Sequence, residues 1–164
     1  MTAYGRVFDE GQAGQLADCT IRRVDSEYIS NSVAELAFGI PVARIDSSSD
    51  RGLVPWTTAT LATGRFFGIT VYDTTKVLGK YITPCKASVL TLGRIKVLTQ
   101  IGVSIGDKAY IEEGTGLFTN VATNADDEDN LEIGVWMTDT GVITQPTIAV
   151  ISINLEAVSL TRLV

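Results

Sequence analysis

Apolar and polar residues alternate along much of this chain, in short runs that are separated by glycines and polar turns. Over residues 66–72 the alternation predicts a β-strand with Phe67, Ile69 and Val71 on one face. Thr70 and Tyr72 fall on the opposite face of the same strand. Alternation of this kind is typical of strands that bury one face and leave the other in water.

The same pattern predicts further strands at 38–45, 89–97, 133–137 and 148–155. Within residues 104–119 it predicts a β-hairpin, because glycines near residues 112–116 supply the positive φ that tight turns require. No segment has apolar residues at the i, i+3, i+4 and i+7 spacing of an amphipathic helix. The predicted fold class is therefore all-β, a compact β-barrel or β-sandwich.

Two strands carry more specific expectations. Pro41 predicts that its strand lies at a sheet edge or at a bulge, since proline cannot donate to a ladder. In the strand of residues 89–97, Ile95 and Val97 are predicted to face one side, while Arg94 and Lys96 face the other.

The chain is predicted to have an extended N-terminal arm at 1–24, a core at 25–157 and a tail at 158–164. The tail fits either a strand or a short helix. Chain ends are commonly poorly ordered unless they dock. The arm is small and polar except for a few apolar side chains, which favour docking and are candidate contacts with a partner: Tyr4, Val7 and Phe8.

Composition limits the class of protein. A chain of 164 residues with 45% hydrophobic and 20% charged residues fits one folded domain. Its most apolar stretch, residues 147–155, is shorter than the ~20 residues of a membrane-spanning helix, so no membrane segment is predicted. The first ten residues lack the apolar region of a secretory signal, which predicts synthesis in a cytoplasm.

Charge and histidine content argue against two functions. The net charge is −6 and the 13 Lys and Arg residues are scattered apart from Arg22-Arg23, which disfavours nucleic-acid binding. The chain has no histidine, so Ser-His-Asp and Cys-His catalysis and histidine-ligated metal sites are unavailable. Mechanisms that use only carboxylates remain open.

The acidic segment 124–130 is a candidate calcium loop, because Asn124, Asp126, Glu128 and Asn130 alternate as oxygen donors. The EF-hand pattern fails, since position six is not glycine and position twelve is a valine. A solvated acidic turn is the favoured interpretation, and no metal or cofactor is predicted.

Other candidates for chemistry are weak. Glu112 and Glu113 point to opposite faces if the strand persists, so they cannot flank one glycosidic bond. Cys19 and Cys85 are far apart in the sequence, and a reducing compartment favours free thiols over a disulfide. No catalytic residue is predicted, and the chain is not expected to be an enzyme.

The two tryptophans have different contexts. Trp56 lies in a polar, threonine-rich region, where it could pack over the edge of the core or be exposed as an interface anchor. Both alternatives stay open, and Trp56 is the fourth candidate contact residue. Trp136 lies in an apolar strand and is predicted to be in the core.

An ordered series of short phrases resembles the structural cement, or head decoration, proteins of tailed bacteriophages. The series covers about residues 11–155. Its phrases are Gly11-Gln-Ala-Gly-Gln-Leu-Ala-Asp18, Ala37-Phe-Gly39, Phe66-Phe-Gly-Ile69, Gly93-Arg-Ile-Lys-Val97, Gly106-Asp-Lys-Ala-Tyr-Ile111 and Thr115-Gly-Leu-Phe-Thr119. The chain differs from the shortest members in its loop at 46–52, its acidic loop at 124–130 and its tail after residue 155.

This resemblance implies a role and an architecture rather than catalytic residues. It implies a β-domain that assembles, often as a homotrimer, on the outer surface of the capsid and bridges major capsid protein subunits. The expected location is the virion, and neither nucleic acid nor a membrane is an expected partner. The alternatives are a phage tail or host-adhesion β-module, which would bind cells or glycans as an isolated subunit, and a histidine-free glycan hydrolase.

Overall fold

The structure is a computed structural model that describes residues 11–18, 21–46, 50–57, 65–76, 78–112, 115–123 and 130–155. Every element that it describes in full is a β-strand, which confirms the predicted all-β class. The strands are β1 (Arg23–Tyr28), β2 (Glu35–Ala37), β3 (Pro41–Asp46), β4 (Arg51–Pro55), β5 (Arg65–Thr70), β6 (Lys80–Ile82), β7 (Lys86–Thr99), β8 (Lys108–Ile111), β9 (Phe118–Thr119), β10 (Leu131–Trp136) and β11 (Thr147–Asn154).

The centre of the molecule is a closed five-stranded barrel. Its strands follow the order β11, β10, β8, β9 and β7, and β7 closes the ring by pairing with β11 from Thr99–Thr147 to Leu92–Asn154. The barrel core holds Trp136, which is fully buried as predicted. The core also contains Ile95, Val97, Ile111, Ile133, Ile151 and Ile153.

The 14-residue strand β7 connects the barrel to a second sheet, and a bulge at its middle reverses its faces. Along β1, Val24 pairs with Leu90 but Arg23 pairs with Leu92, so Thr91 is an extra residue. One extra residue turns the following side chains to the other face of the strand. The bulge therefore allows both Leu90 and Ile95 to face the barrel core.

The second sheet continues the barrel's ladder from β7 through β5 and β3 to β4, and its middle is buried on both faces. Ala43 and Val54 face the barrel core, whereas Val42 and Leu53 face a second core. The small sheet of β2 and β6 contributes Leu36 and Tyr81 to this second core. Buried stretches such as residues 52–54 are apolar because neither face meets water there, whereas the charged ends Arg44, Arg51 and Arg65 are exposed.

The position of Pro41 confirms one of its two predicted alternatives, the bulge. Pro41 is the first residue of β3, and β3 lies between β5 and β4 rather than at an edge. The predicted bulge is present, because the pairing with β5 shifts between Val42 and Ala43. A first strand position tolerates proline, since its missing N–H is not needed by the ladder there.

The same bulge makes the predicted face of Phe67 wrong. Val42 pairs with Gly68 and Ala43 pairs with Phe66, which leaves Phe67 as the extra residue of β5. Phe67 packs against the second core, while Ile69 lies in the barrel core. Strict alternation cannot anticipate an inserted residue.

The remaining strand predictions are confirmed with small shifts of their ends. Strands β8 and β9 form the predicted antiparallel pair, and β10 and β11 match the predicted strands at 133–137 and 148–155. The tail 158–164 and the acidic residues 124–129 lie outside the described residues. Within the described ranges, no helix has the length and apolar character needed to span a bilayer.

Candidate interaction surfaces

The N-terminal segment, residues 11–18, is held along β7 by backbone hydrogen bonds. The Gly14 amide donates to the Lys96 carbonyl over 2.7 Å, and the Lys96 amide donates to the Gln15 carbonyl over 2.8 Å. An ion pair of 2.8 Å between Arg94 and Asp18 ties down the far end of the segment. This part of the predicted arm is therefore docked on the barrel's own strand.

Two glycines allow the segment to reach its position. Gly14 has φ 84° and Gly39 has φ 69°, and their backbones touch. A Cβ on Gly39 would lie 2.6 Å from the Gly14 nitrogen, and a Cβ on Gly14 would lie 2.8 Å from the nitrogens of Gly39 and Tyr72. Only glycine fits both the left-handed conformation and this approach.

The contact residues expected in the arm are not described by the structure. Tyr4, Val7 and Phe8 lie outside the described residues, so their role as contacts remains a prediction. The described chain begins at Gly11, whose Cα faces the Lys96 side chain near the carboxyl end of β7. Residues 1–10 therefore connect to the body of the protein at this point.

Trp56 is buried in the core, which is one of the two alternatives that its sequence context left open. Its side chain is 4% exposed, and its ring meets the Phe66 ring edge-on at a centroid distance of 5.5 Å. The indole Nε1 is buried and finds no acceptor within the described part of the chain. A contact between Trp56 and a partner remains a prediction, and it would require this indole to leave the core.

Three loops meet at one end of the barrel and form a surface that we call the loop face: residues 100–107, 120–123 and 137–146. The Val103 amide donates to Thr140 Oγ1, and the Thr140 amide donates to the Val103 carbonyl, each over 3.0 Å. Asn120 Nδ2 donates to Asp107 Oδ2 over 3.3 Å, which joins the second loop to the first. Hydrogen bonds therefore connect the first and third loops and the first residue of the second, whereas the Val121 and Ala122 carbonyls accept hydrogen bonds from Asn130.

The described residues of the loop face include three exposed aliphatic side chains and few charged groups. Ile105, Val121 and Val142 are 66%, 53% and 99% exposed, one on each loop. Within the three ranges named, the charged residues are Asp107 and Asp139, and the second loop continues into the acidic residues 126–129, which the structure does not describe. Both carboxylates accept hydrogen bonds from their own loops, Asp107 from the Ser104 amide and Asp139 from the Gly141 amide. The ion pairs of the described residues all lie elsewhere.

The sequence did not single out these three aliphatic residues. Ile105 and Val142 each adjoin a turn glycine, Gly106 and Gly141, but this does not distinguish them from buried residues. Val103 also adjoins a loop glycine, Gly102, and is only 2% exposed.

The described carboxylates with shifted pKa values anchor turns. The hydrogen bond from the Ser30 hydroxyl lowers the pKa of Asp50, and the hydrogen bond from the Thr75 hydroxyl lowers the pKa of Asp73. A general acid at neutral pH needs a raised carboxyl pKa instead. These two groups therefore suit fixed hydrogen bonding better than proton transfer.

The other candidates for chemistry are only partly described. Glu112 bonds to the Thr115 hydroxyl, while Glu113 lies outside the described residues, as do Asn124, Asp126 and Glu128. No group of metal-ligating side chains occurs among the residues that the structure describes. Cys85 is a half-buried free thiol, and Cys19 lies outside the described residues.

Comparison with known proteins gives two findings. The family model for the phage structural cement protein (E217 gp24/Pam3 gp6) matches residues 1–154. A chain in the solved structure entitled "The capsid of Myoviridae Phage XM1" has a similar fold, with a TM-score of 0.65 and 19% sequence identity. The similarity covers 87% of this chain and 89% of that one. No curated protein matches the sequence.

Proposed function

Because this chain belongs to the phage structural cement family and is a capsid-associated cement or decoration protein, we propose that it bridges major capsid protein subunits on the outer surface of an assembled head. The match to the family over residues 1–154 is the observation that carries this proposal. The matched region includes all eleven strands.

Bridging is a mechanical function. Packaged DNA pushes outward on a shell that is joined by many modest interfaces. A subunit that binds on both sides of a seam opposes its opening, because the binding free energy must be lost before the seam separates. The rigid barrel suits this role, since its ladder closes on itself and exposes no edge there.

A homotrimer would strengthen such bridging without a large contact per subunit. Each contact could be small, in the range below about 1,200 Å² that weak interfaces bury. Once one subunit of a trimer is bound, the others bind at high effective concentration, which raises avidity by roughly 10²–10⁴. The proposal includes this trimer, which the sequence resemblance also implies.

The proposed role needs neither nucleic acid nor catalysis. The net charge of −6 repels packaged or free DNA, which favours a position on the outer surface of the shell. The absence of histidine from the sequence is consistent with a protein that makes and breaks no covalent bond. Synthesis in the host cytoplasm would place the subunit where heads assemble.

The purified subunit is expected to bind expanded heads of the parent phage that lack this protein, and to leave host cells and host glycans unbound. Co-sedimentation of labelled subunit with each target measures this. A tail or adhesion module would give the reverse result, with binding to cells and none to heads. Turnover of host polysaccharide by the subunit would also contradict the proposal.

The avidity argument predicts oligomerisation. Sedimentation velocity of the free protein, or the stoichiometry of subunits around each site on decorated heads, is expected to show groups of three. A subunit that is a monomer both in solution and on the capsid would contradict the proposed trimer, although not capsid binding itself.

A further inference from the structure

Positive and negative charges are unevenly distributed over this molecule. Residues 21–90 form β1 to β6 and the first five residues of β7, and they carry eight Lys and Arg against six Asp and Glu. Residues 109–155 form β9 to β11 and most of β8, and they carry eight Asp and Glu but no Lys or Arg. The negative charge is therefore concentrated on four barrel strands and their loops, while the second sheet and the small sheet are net positive.

An open cavity of about 260 Å³ lies on the positive part, at the outer face of β6. Lys80 and Ile82 line it, whereas Tyr81 between them points into the second core. Its volume is below the roughly 300–1,000 Å³ of small-molecule sites, so it suits one or two side chains of a protein partner. We call it the lysine cavity, and its lining is Thr75, Lys76, Leu78, Lys80, Ile82 and Cys85.

Lys76 gives the lysine cavity a positive charge that no described carboxylate pairs with directly. Its ammonium lies 5.9 Å from the centroid of the Tyr81 ring, and the ion pairs of the described residues do not include it. Asp73 interacts with it electrostatically, but that carboxylate accepts hydrogen bonds from the Thr75 amide and hydroxyl over 2.9 and 2.7 Å. A carboxylate from a partner could therefore pair with Lys76.

Aliphatic surface and a second lysine adjoin this charge. Leu78 and Ile82 are 65% and 44% exposed, and both line the cavity. Lys80 pairs with Glu35 over 2.5 Å, and both side chains remain partly exposed to water. The surface is contiguous, because one cavity joins these residues and the ladder places Glu35 directly opposite Ile82. It is complementary to a segment that carries carboxylates.

The chain itself contains such a segment. Residues 126–129 are four consecutive carboxylates, with alanine and asparagine on either side, and they lie outside the described residues. The described residues that flank them are joined, because the Asn130 amide donates to the Ala122 carbonyl over 2.8 Å. Asn130 directly precedes β10, so the acidic segment is attached to the negative part of the molecule.

From these observations we propose that the acidic segment 126–129 of one subunit docks in the lysine cavity of the next, an inference that rests on the proposed trimer. A contact between two different surfaces of identical subunits is heterologous, and such contacts form a closed ring when the rotation allows it. This contact brings the negative part of one copy to the positive part of the next. It therefore offsets the repulsion between subunits that each carry a net charge of −6.

Charge reversal on each side tests the contact in the full chain. The cavity variant is Lys76→Glu, and the segment variant replaces all four carboxylates of residues 126–129 by lysine. Each is expected to raise the dissociation constant for self-association by about tenfold or more at low salt, and by less at high salt, because salt screens exposed charges. Combining both reversals in one chain restores opposite charges and is expected to return self-association to near wild type. Sedimentation velocity over a range of concentrations measures all three.

Two controls separate this contact from general effects of charge and folding. Lys86→Glu changes a lysine whose ammonium also lies over a tyrosine ring, 4.7 Å from the Tyr28 centroid, but which does not line the cavity. It should self-associate like wild type. Lys76→Gln adds no negative charge beside Asp73 and should show a smaller loss than Lys76→Glu, with the unfolding midpoint of wild type.

The outcomes distinguish this inference from its premise. Unchanged self-association in Lys76→Glu, an equal loss in Lys86→Glu, or no recovery in the combined variant would each overturn the inference while leaving the trimer in place. If free wild type is monomeric, the same variants are compared by the stoichiometry of subunits on decorated heads. A wild-type monomer there too would remove the proposed trimer and this inference together, although not capsid binding, which co-sedimentation with heads measures separately.

Discussion

Replacing Gly39 by alanine is expected to cost about 2–5 kcal/mol of unfolding free energy. Alanine in the left-handed region costs about 1–2 kcal/mol on its own. The new Cβ would also lie 2.6 Å from the Ala13 Cβ and from the Gly14 nitrogen. Overpacking of this kind adds typically 1–3 kcal/mol, because backbone must move to relieve it.

Gly79 provides a matched control for the conformational cost of placing alanine in the left-handed region. It has φ 68°, within one degree of Gly39 at 69°, and an added Cβ there would meet nothing within 4 Å. Gly79→Ala is therefore expected to cost only the conformational part, about 1–2 kcal/mol. Denaturant unfolding of the two variants measures the difference, and equal losses would contradict the close approach at Gly39.

The Gly39 variant could also relieve its clash by releasing the N-terminal segment. Hydrogen exchange distinguishes this response, because the Gly14 and Lys96 amides are bonded only while the segment is docked. Faster exchange at these two amides, with unchanged exchange in β10 and β11, is the expected signature of release. In Gly79→Ala both amides should exchange as in wild type.

The sequence predicted the strands because alternation reports which side of a strand is buried. It predicted the faces correctly where the ladder is regular, as for Ile95 and Val97, which are both fully buried. It failed at Phe67, since a bulge adds a residue without changing the local pattern of apolar side chains. Register shifts depend on the neighbouring strand, which a single sequence does not display.

Contacts between segments that are distant in the sequence could not be predicted either, because no local pattern indicates them. Gly14 and Gly39 each stood in a phrase that the resemblance used, yet nothing in either phrase indicates that their backbones touch. Residues 100–107 likewise lie beside residues 137–146 because β8 pairs with β10, which is distant in the sequence. A surface that forms from segments distant in the sequence has no local sequence pattern that predicts it.

Deletion of residues 1–10 is expected to weaken binding to expanded heads by about 10²-fold or more while leaving the fold intact. If the arm is a separate contact, as Tyr4, Val7 and Phe8 suggest, each trimer loses three contacts at once, and avidity falls accordingly. Ordering the arm costs about 1–2 kcal/mol per residue, so it must bury apolar surface to contribute. Co-sedimentation with heads measures the change.

The end point of this deletion matters, because residues 11–18 belong to the body of the protein. A longer deletion through residue 15 would remove the Gly14 and Gln15 hydrogen bonds to Lys96, so any loss of binding could reflect a damaged barrel.

A triple variant of the full chain, Tyr4→Ser, Val7→Ser and Phe8→Ser, tests the same contact in a second way, since it keeps the arm's length and removes its apolar groups. It should bind as weakly as the deletion, with an unfolding midpoint equal to that of wild type. Occupancy on heads that is unchanged in both variants would show that the arm is not a contact.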